Sequence, residues 1–176
     1  MDGEGLIRYH VLFVILLATR EVQLAGLVPA PNEAWMLQVG RHLTDPWAGF
    51  LRSSRYLLHD RATLFSEQFR QLLRNAQVEP LRLPARSPNL NAFAERFVRT
   101  IRHECLDRMI FFGEASLRKA VEEFVGHYNR ERNHQSLGNT VIQPERPEFP
   151  VAGAICCRKR LGGLLRYYYR EPALIT

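Results

Sequence analysis

The stretch RYLLHDRATLFSEQFRQLLRNAQVEPLRL, residues 55–83, decides the fold. Its first residues, Arg55–His59, are mostly apolar and predict a short strand. Ser66 is a good N-cap residue, so the next segment is expected to be a helix that runs to Ala76. Val78–Leu83 predicts a second short strand. A strand, a helix and a strand in this order are typical of an α/β fold.

The residues upstream of this unit predict a hairpin and a further helix. Arg8–Ala18 is rich in Val, Ile, Leu and Phe and predicts a buried strand, and Glu21–Val28 alternates polar and apolar residues like a paired strand. Asn32 can cap the helix that follows. The apolar run Val11–Ala18 is too short to span a bilayer. A signal-peptide core is the alternative, but no clean cleavage site follows it.

Helices dominate the residues downstream. The apolar periodicity predicts a long helix from about Asn91 to Asp107 and another over Ala115–Arg130, and regular structure becomes doubtful after Asn133. The fold class predicted from the whole order is α/β, a mixed sheet flanked by helices. We expect residues 1–140 to form the core domain and residues 141–176 a basic, aromatic tail.

Composition narrows the class of protein. The chain has 176 residues, 46% of them hydrophobic, which is enough apolar material for a core and excludes a disordered chain. Three cysteines, two of them adjacent, do not make a disulfide scaffold. The net charge of +6 comes almost wholly from arginine, which suits phosphate-bearing partners. Codon usage in a GC-rich genome explains the same excess, and composition does not separate the two.

Two acidic residues are the candidates for chemistry. Asp60 directly follows a predicted strand, and Glu95 lies 35 residues later in the first turns of the long helix. Carboxylates that meet at one sheet edge are ligands for divalent metal ions. Glu95, Arg99 and Arg102 fall at i, i+4 and i+7 and therefore share a helix face. The alternatives are simple surface charges and an ion pair between Glu95 and Arg99 within the helix.

Three strings carry a specific resemblance. SPNLNAFAERFVRTIRHECLDRMIF (residues 87–111) resembles the glutamate segment of DDE-type insertion-sequence transposases, which are related to retroviral integrases. RYLLHDRATLF (residues 55–65) resembles their second-aspartate segment, and FVGHYNRERNHQSLGN (residues 124–139) resembles their final helix and the turn after it. RLGGLLRYYYRE (residues 160–171) looks like the tail of one bacterial subgroup. The likeness runs from about Leu6 to Glu171.

The resemblance implies a ribonuclease H-like catalytic core for DNA integration and transposition. Asp60 matches the family's second catalytic aspartate and Glu95 its catalytic glutamate. In the family these residues hold two Mg²⁺ or Mn²⁺ ions, which activate a water and then a 3′-hydroxyl for attack on a DNA phosphodiester. The implied partners are DNA and either a second copy or an intact transposase. Neither a membrane nor a small-molecule substrate is implied, and the expected location is the bacterial cytoplasm, at the nucleoid.

The sequence departs from the family at its start. Members carry their first catalytic aspartate on a strand in the middle of the sheet, ahead of the strand that matches Arg8–Ala18. Only Asp2 is available there, and it lies too close to Tyr9 for the family spacing. We therefore expect this form to lack that aspartate, its strand and the family's helix-turn-helix region, and to be inactive or impaired. The alternative function is a non-catalytic remnant that binds DNA or oligomerises with an intact transposase.

Six basic residues are the candidates for binding the DNA backbone. They are Arg96, Arg99, Arg102, Arg158, Lys159 and Arg160. For the last three, a solvated basic terminus is an equally good interpretation. Tyr167–Tyr169 either stack on bases or pack against the domain. His59 either forms a structural hydrogen bond or takes part in the site.

Two other interpretations carry less weight. His127, His134, Cys156 and Cys157 suggest zinc by residue type, but their spacing matches no zinc-finger pattern and adjacent cysteines rarely bind one tetrahedral ion. An unrelated α/β binding protein would require the three matching strings to be coincidence.

Overall fold

The structure is a computed structural model that describes residues 6–85, 91–144 and 153–171. Asp2 lies outside these residues. The helices are α1 (Glu33–Leu43), α2 (Glu67–Asn75), α3 (Ala92–Glu104) and α4 (Gly113–Arg130). The strands are β1 (His10–Ile15), β2 (Val22–Val28), β3 (Tyr56–His59), β4 (Glu79–Arg82), β5 (Asn133–His134), β6 (Thr140–Val141), β7 (Ile155–Arg160) and β8 (Leu165–Arg170). This is the mixed α/β content that the sequence predicts.

The described strands form four separate two-stranded sheets, β1–β2, β3–β4, β5–β6 and β7–β8. The single mixed sheet predicted from the sequence is therefore wrong for the described residues. β1 and β2 hydrogen-bond to each other and β3 and β4 to each other, but no strand joins the two pairs. A sheet is continuous only through hydrogen-bonded neighbours, and the described strands supply none between these two pairs. The ribonuclease H-like arrangement stays a prediction.

Local signals place the elements close to their predicted bounds. The Oδ1 atom of Asn32 accepts the Trp35 N–H at 2.8 Å and caps α1, and the Oγ atom of Ser66 accepts the Phe69 N–H at 3.3 Å and caps α2. Both caps satisfy backbone donors that a helix start leaves without partners. Both sequence-predicted caps are confirmed.

The chain divides into two compact units. The first comprises residues 1–13 and 25–95, and the second comprises residues 14–24 and 96–176. The predicted tail therefore groups with α4 rather than standing apart. The predicted division at residue 140 does not coincide with these units and, as a statement about domains, stays a prediction.

The first unit is built around β3, α2 and β4. β3 and β4 are parallel, with Tyr56 opposite Glu79 and His59 opposite Arg82. α2 and α1 pack closely at Gly40, where an added Cβ would lie 3.1 Å from atoms of both Phe69 and Leu72. That distance is shorter than an ordinary carbon–carbon contact, so Gly40 is needed for the close approach of the two helices.

The second unit is built around α3 and α4. Phe97 and Ile101 of α3 are 1% exposed, and Phe124 of α4 is fully buried. The ring centroids of Phe97 and Phe124 lie 6.2 Å apart, and Tyr128 meets Phe97 edge-on at 5.0 Å. These residues belong to the apolar faces that helical spacing predicts, so the periodicity of both helices is confirmed.

Regular structure continues beyond Asn133, contrary to the sequence-based expectation. β7 and β8 form an antiparallel hairpin whose turn includes Leu161, Gly162 and Gly163, all with positive φ. The hairpin lies against α4, where the Leu161 N–H donates to Glu123 Oε2 at 2.8 Å. Strand alternation was hard to recognise because the side chains that alternate are arginine, cysteine and tyrosine rather than aliphatic and polar residues.

Candidate functional site

Asp60 lies where the sequence places it, immediately after β3. Its side chain is exposed, and its Oδ1 atom accepts the Ala62 N–H at 2.9 Å. This short hydrogen bond turns the chain away from the strand and fixes one carboxylate oxygen. The Oδ2 atom forms no hydrogen bond to any part of the chain that the structure describes. One oxygen of Asp60 is thus oriented by the backbone and the other is available to a ligand.

His59 packs beneath this turn. Its Nδ1 atom lies 2.7 Å from the Asp60 carbonyl oxygen, and its ring contacts Phe65 at a centroid distance of 4.6 Å. Because a carbonyl only accepts, Nδ1 carries the proton. Burial lowers the pKa of His59, and the hydrogen bond to Asp60 offsets only part of that effect. The structural hydrogen bond, one of the two interpretations made from the sequence, is present.

Glu95 lies in the first turn of α3, with its side chain exposed. Arg99 and Arg102 follow on the same helix face and are exposed as well. Among residues 6–85, 91–144 and 153–171, Glu95 forms no ion pair, so the predicted alternative of a Glu95–Arg99 bridge does not occur. Its carboxylate oxygens are therefore available to a ligand.

Asp60 and Glu95 both fall in the first compact unit, Glu95 as its last residue, and a common site for the two stays a prediction. β3 and β4 are parallel, so Asp60 follows the carboxyl end of one strand, and the chain leaves the carboxyl end of the other after Leu83. It enters α3 at Ala92, after a segment outside the described residues. Open α/β sheets bind ligands at such an edge. No group of three or more His, Cys, Asp or Glu residues that could hold a metal ion occurs in the described segments.

The six predicted DNA-binding residues differ in their surroundings. Arg96, Arg99 and Arg102 of α3 are exposed, and so is Lys159 of β7. Arg158 and Arg160 instead donate hydrogen bonds to a carboxylate. The role of all six in DNA binding stays a prediction, but the structure gives the last two a different task.

That carboxylate is Glu131, whose side chain is 1% exposed. It accepts hydrogen bonds from Arg160 Nε at 3.0 Å, Arg160 Nη2 at 2.7 Å and Arg158 Nη1 at 3.0 Å. His127 Nδ1 donates to it at 3.0 Å. Burial raises the pKa of Glu131, but the hydrogen bonds from Arg160, His127 and Arg158 outweigh burial and hold the pKa at about 2. Glu131 is therefore ionised and fastens the tail hairpin to the end of α4.

Sequence reasoning missed both Glu131 and its neighbour Asn129. Asn129 is buried. Its Oδ1 atom accepts a hydrogen bond from the Val22 N–H at 3.0 Å, and its Nδ2 atom donates one to the Val22 carbonyl oxygen at 2.7 Å. One amide thus completes both backbone bonds of a residue in β2. The available signal was the run of polar residues at the end of the predicted helix, HYNRERNH, where a solvated surface was the simpler interpretation.

Two of the four residues considered for zinc, His127 and His134, have other partners. His127 binds Glu131, and His134 Nε2 lies 2.8 Å from the Tyr128 carbonyl oxygen.

Cys105 is fully buried, and burial, with a smaller contribution from Glu123, raises the pKa of its thiol to about 11. A thiol with so high a pKa is almost wholly protonated at neutral pH and is a poor nucleophile.

Acid should destabilise the protein through His134. Burial lowers the pKa of His134 below 6.5, with further lowering by Arg132 and His127, and the bond to Tyr128 offsets only part. Below about pH 6.5 the unfolded chain binds a proton that the folded chain does not, so the free energy of unfolding should fall between about pH 7 and 5. Urea unfolding at both pH values measures this fall. His134→Gln should reduce it, whereas the exposed His103→Gln should leave it unchanged. Equal falls in all three proteins would contradict the assignment.

Comparison with known families agrees with the resemblance. Residues 76–141 match the model of the integrase core domain, which supports an integrase or transposase catalytic core. The matched segment contains Glu95, α3 and α4, and integrase core domains act on DNA in integration and transposition. The predicted family is therefore confirmed over these residues. No curated protein matches the chain significantly. None of the helices in the described part of the chain is long and apolar enough to cross a membrane.

Proposed function

We propose that Asp60 and Glu95 are metal-binding carboxylates of a DDE-type core for DNA strand cleavage and transfer, because residues 76–141 match the integrase core domain. The observation that carries the proposal is the family match around Glu95, at the chain position where a ligand is expected. Asp60 supports it by its place at the carboxyl end of β3. The protein would act on DNA in the bacterial cytoplasm.

The two carboxylates fit Mg²⁺ or Mn²⁺. Both ions prefer oxygen ligands, and Mg²⁺ is commonly held by one or two carboxylates together with substrate phosphates. Asp60 has one oriented oxygen and one without a hydrogen bond among the described residues, and Glu95 is exposed at the start of a helix. When bound, the metal supplies positive charge that activates the attacking hydroxyl and stabilises the leaving oxygen.

The chain's own residues perform the positioning. The bond from the Ala62 N–H orients Asp60, and the bond from His59 to the Asp60 carbonyl holds the turn against the buried ring of the histidine. Glu95 is carried on α3, a helix whose residues Phe97 and Ile101 are buried. Rigid support of this kind is what a phosphoryl-transfer site requires, because small misplacements of a ligand lower the rate strongly.

We also propose that residues 1–176, taken by themselves, are impaired in catalysis. The family uses three carboxylates, and residues 1–176 contain no counterpart of the first aspartate at matching spacing. Losing one ligand weakens metal binding and positioning. The alternative function is that of a non-catalytic protein that binds DNA or oligomerises with an intact transposase.

Nicking of supercoiled plasmid in the presence of Mn²⁺ tests the proposal. The chain as it stands should nick little or not at all. A version with an added upstream strand that carries an aspartate should nick, and Glu95→Gln or Asp60→Asn in that version should abolish nicking because a carboxylate ligand is lost. The control is Glu33→Gln, which removes an exposed carboxylate from the first turn of α1 and should leave nicking intact.

Two outcomes would count against the assignment. If the extended version nicks and retains its activity after Glu95→Gln, Glu95 is not a ligand. If the extended version folds but stays inert, the catalytic proposal fails and the non-catalytic candidate is favoured.

A further inference from the structure

The tail hairpin, β7 and β8, has two chemically distinct faces. Exposure alternates residue by residue along both strands, as expected when successive side chains point to opposite sides. The register pairs Lys159 with Arg166, Cys157 with Tyr168 and Ile155 with Arg170. These six residues form the outer face. The inner face carries the remaining residues of the two strands, including Arg158 and Arg160.

The inner face holds the hairpin on α4. Arg158 and Arg160 bind the buried Glu131, and Arg158 also lies 5.8 Å above the ring of Tyr169. Tyr169 in turn stacks on Tyr167 at a centroid distance of 5.8 Å. These contacts use the charges of Arg158 and Arg160 within the fold, so a basic partner surface must come from the other side of the hairpin.

The outer face is basic and open. Lys159, Arg166 and Arg170 are all exposed, and the ring of Tyr168 between them is 60% exposed. Neither strand contains an acidic residue. Within the described residues, the two arginines donate only to backbone carbonyls, of Gly163 at 3.4 Å and of Gly153 at 2.9 Å. Each guanidinium therefore keeps further N–H donors for a ligand.

The pairing of Lys159 with Arg166 indicates what kind of ligand the face accepts. Residues directly opposite on one face of an antiparallel pair have Cβ atoms about 5 Å apart, and like charges at this distance are destabilising. No carboxylate in the described part of the chain forms an ion pair with either residue. An anion placed between them would remove the repulsion, so the folded hairpin itself favours a negatively charged partner.

We propose that the outer face of the β7–β8 hairpin binds the phosphate backbone of DNA through Lys159, Arg166 and Arg170. The choice of DNA as the anion rests on the proposed function. Arg166 and Arg170 are four residues apart, about 13 Å along a strand, and this span is long enough to reach more than one phosphate of a DNA strand. The surface lies outside residues 76–141, which match the integrase core domain. It includes Lys159 but not the neighbouring Arg158 and Arg160, which lie on the inner face of the hairpin.

Binding of a labelled DNA duplex to the full chain, measured by fluorescence anisotropy over a range of salt concentrations without metal, tests the proposal. The triple variant Lys159→Gln, Arg166→Gln, Arg170→Gln should bind at least about tenfold more weakly at roughly 0.1 M salt. The slope of log affinity against log salt should fall by about 2–3, because each lost phosphate contact removes about 0.9. The matched control, Lys119→Gln, Arg41→Gln, Arg108→Gln, removes the same charge from exposed positions elsewhere and should change the slope by less than about one.

Each outcome of this experiment decides the proposal. An unchanged slope in a folded triple variant, or equal losses in both triple variants, would overturn it. If the triple variant does not fold, Lys159→Gln and Arg170→Gln are measured singly, and each should lower the slope by about one. Tighter binding to vesicles of anionic lipid or to duplex RNA, lost in the triple variant, would assign the face to that partner instead. Because no metal or catalysis is involved, failure here leaves the assignment of Asp60 and Glu95 untouched.

Discussion

Replacing Glu131 by glutamine should lower the free energy of unfolding by about 3 kcal/mol. The carboxylate is buried and accepts hydrogen bonds from His127, Arg158 and Arg160. An amide of the same size has no charge and keeps only one accepting oxygen, so both arginines would lose their charged partner and some of the donors would face an NH₂ group. The loss lies at the low end of the range for buried ion pairs because the side chains of Arg158 and Arg160 keep 33% and 21% of their exposure.

The pH dependence of stability separates this explanation from simple loss of packing. The pKa of Glu131 is about 2 in the folded chain, against an ordinary value of 4.5. The stability it provides is therefore complete above about pH 4.5 and is lost as pH falls toward about 2. In Glu131→Gln this acid-induced part of the stability curve should disappear.

Urea unfolding at neutral pH measures the change in stability, and the exposed Glu122→Gln on the same helix is the control. The control should stay within about 0.5 kcal/mol of the unmodified protein. A Glu131→Gln protein of unchanged stability would show that the hairpin does not depend on this carboxylate.

Replacing Phe124 by alanine should lower the free energy of unfolding by about 3–5 kcal/mol. Phe124 is fully buried, and its ring centroid lies 6.2 Å from Phe97 and 6.4 Å from Tyr128. Truncation removes the buried ring and leaves a cavity between helices α3 and α4 that rigid neighbouring rings fill only in part.

Phe112→Ala is the matched control for this substitution. Phe112 is 85% exposed, so the same truncation there creates no cavity and should change stability by less than about 0.5 kcal/mol. Equal effects in both variants, measured by urea unfolding, would show that the α3–α4 contact is not the core of the second unit.

Much of the local structure was predictable because its causes are local. The caps at Asn32 and Ser66 need only a side-chain oxygen three residues before the N–H that it accepts. The buried positions Phe97, Ile101 and Cys105 follow from helical spacing alone. In the same way the position of Asp60 follows from where a short apolar strand ends. The family resemblance was recognisable for the same reason, since each of the strings that carry it is a short continuous stretch of sequence.

The arrangement of strands was not predictable from spacing. Whether β1–β2 joins β3–β4 depends on hydrogen bonds between residues far apart in the chain, and the described strands remain in separate pairs. The tail hairpin was missed because its alternating residues are charged and aromatic, and because the group that holds it, Glu131, lies more than twenty residues earlier. Propensity contains no information on such long-range partners.

The sequence by itself determined the helices, the two helix caps, the first four of the eight described strands and a resemblance that the integrase core match over residues 76–141 supports. Only the tertiary structure decided which members of the run Arg158, Lys159 and Arg160 face solvent. Two of them turn inward to a buried carboxylate and the third turns outward beside Arg166, because side chains alternate across a strand and the ion pairs of Glu131 fix which face is inside. The fold therefore gives the three residues of this basic run two different roles. Arg158 and Arg160 bind Glu131 within the protein, and Lys159 is exposed to a partner.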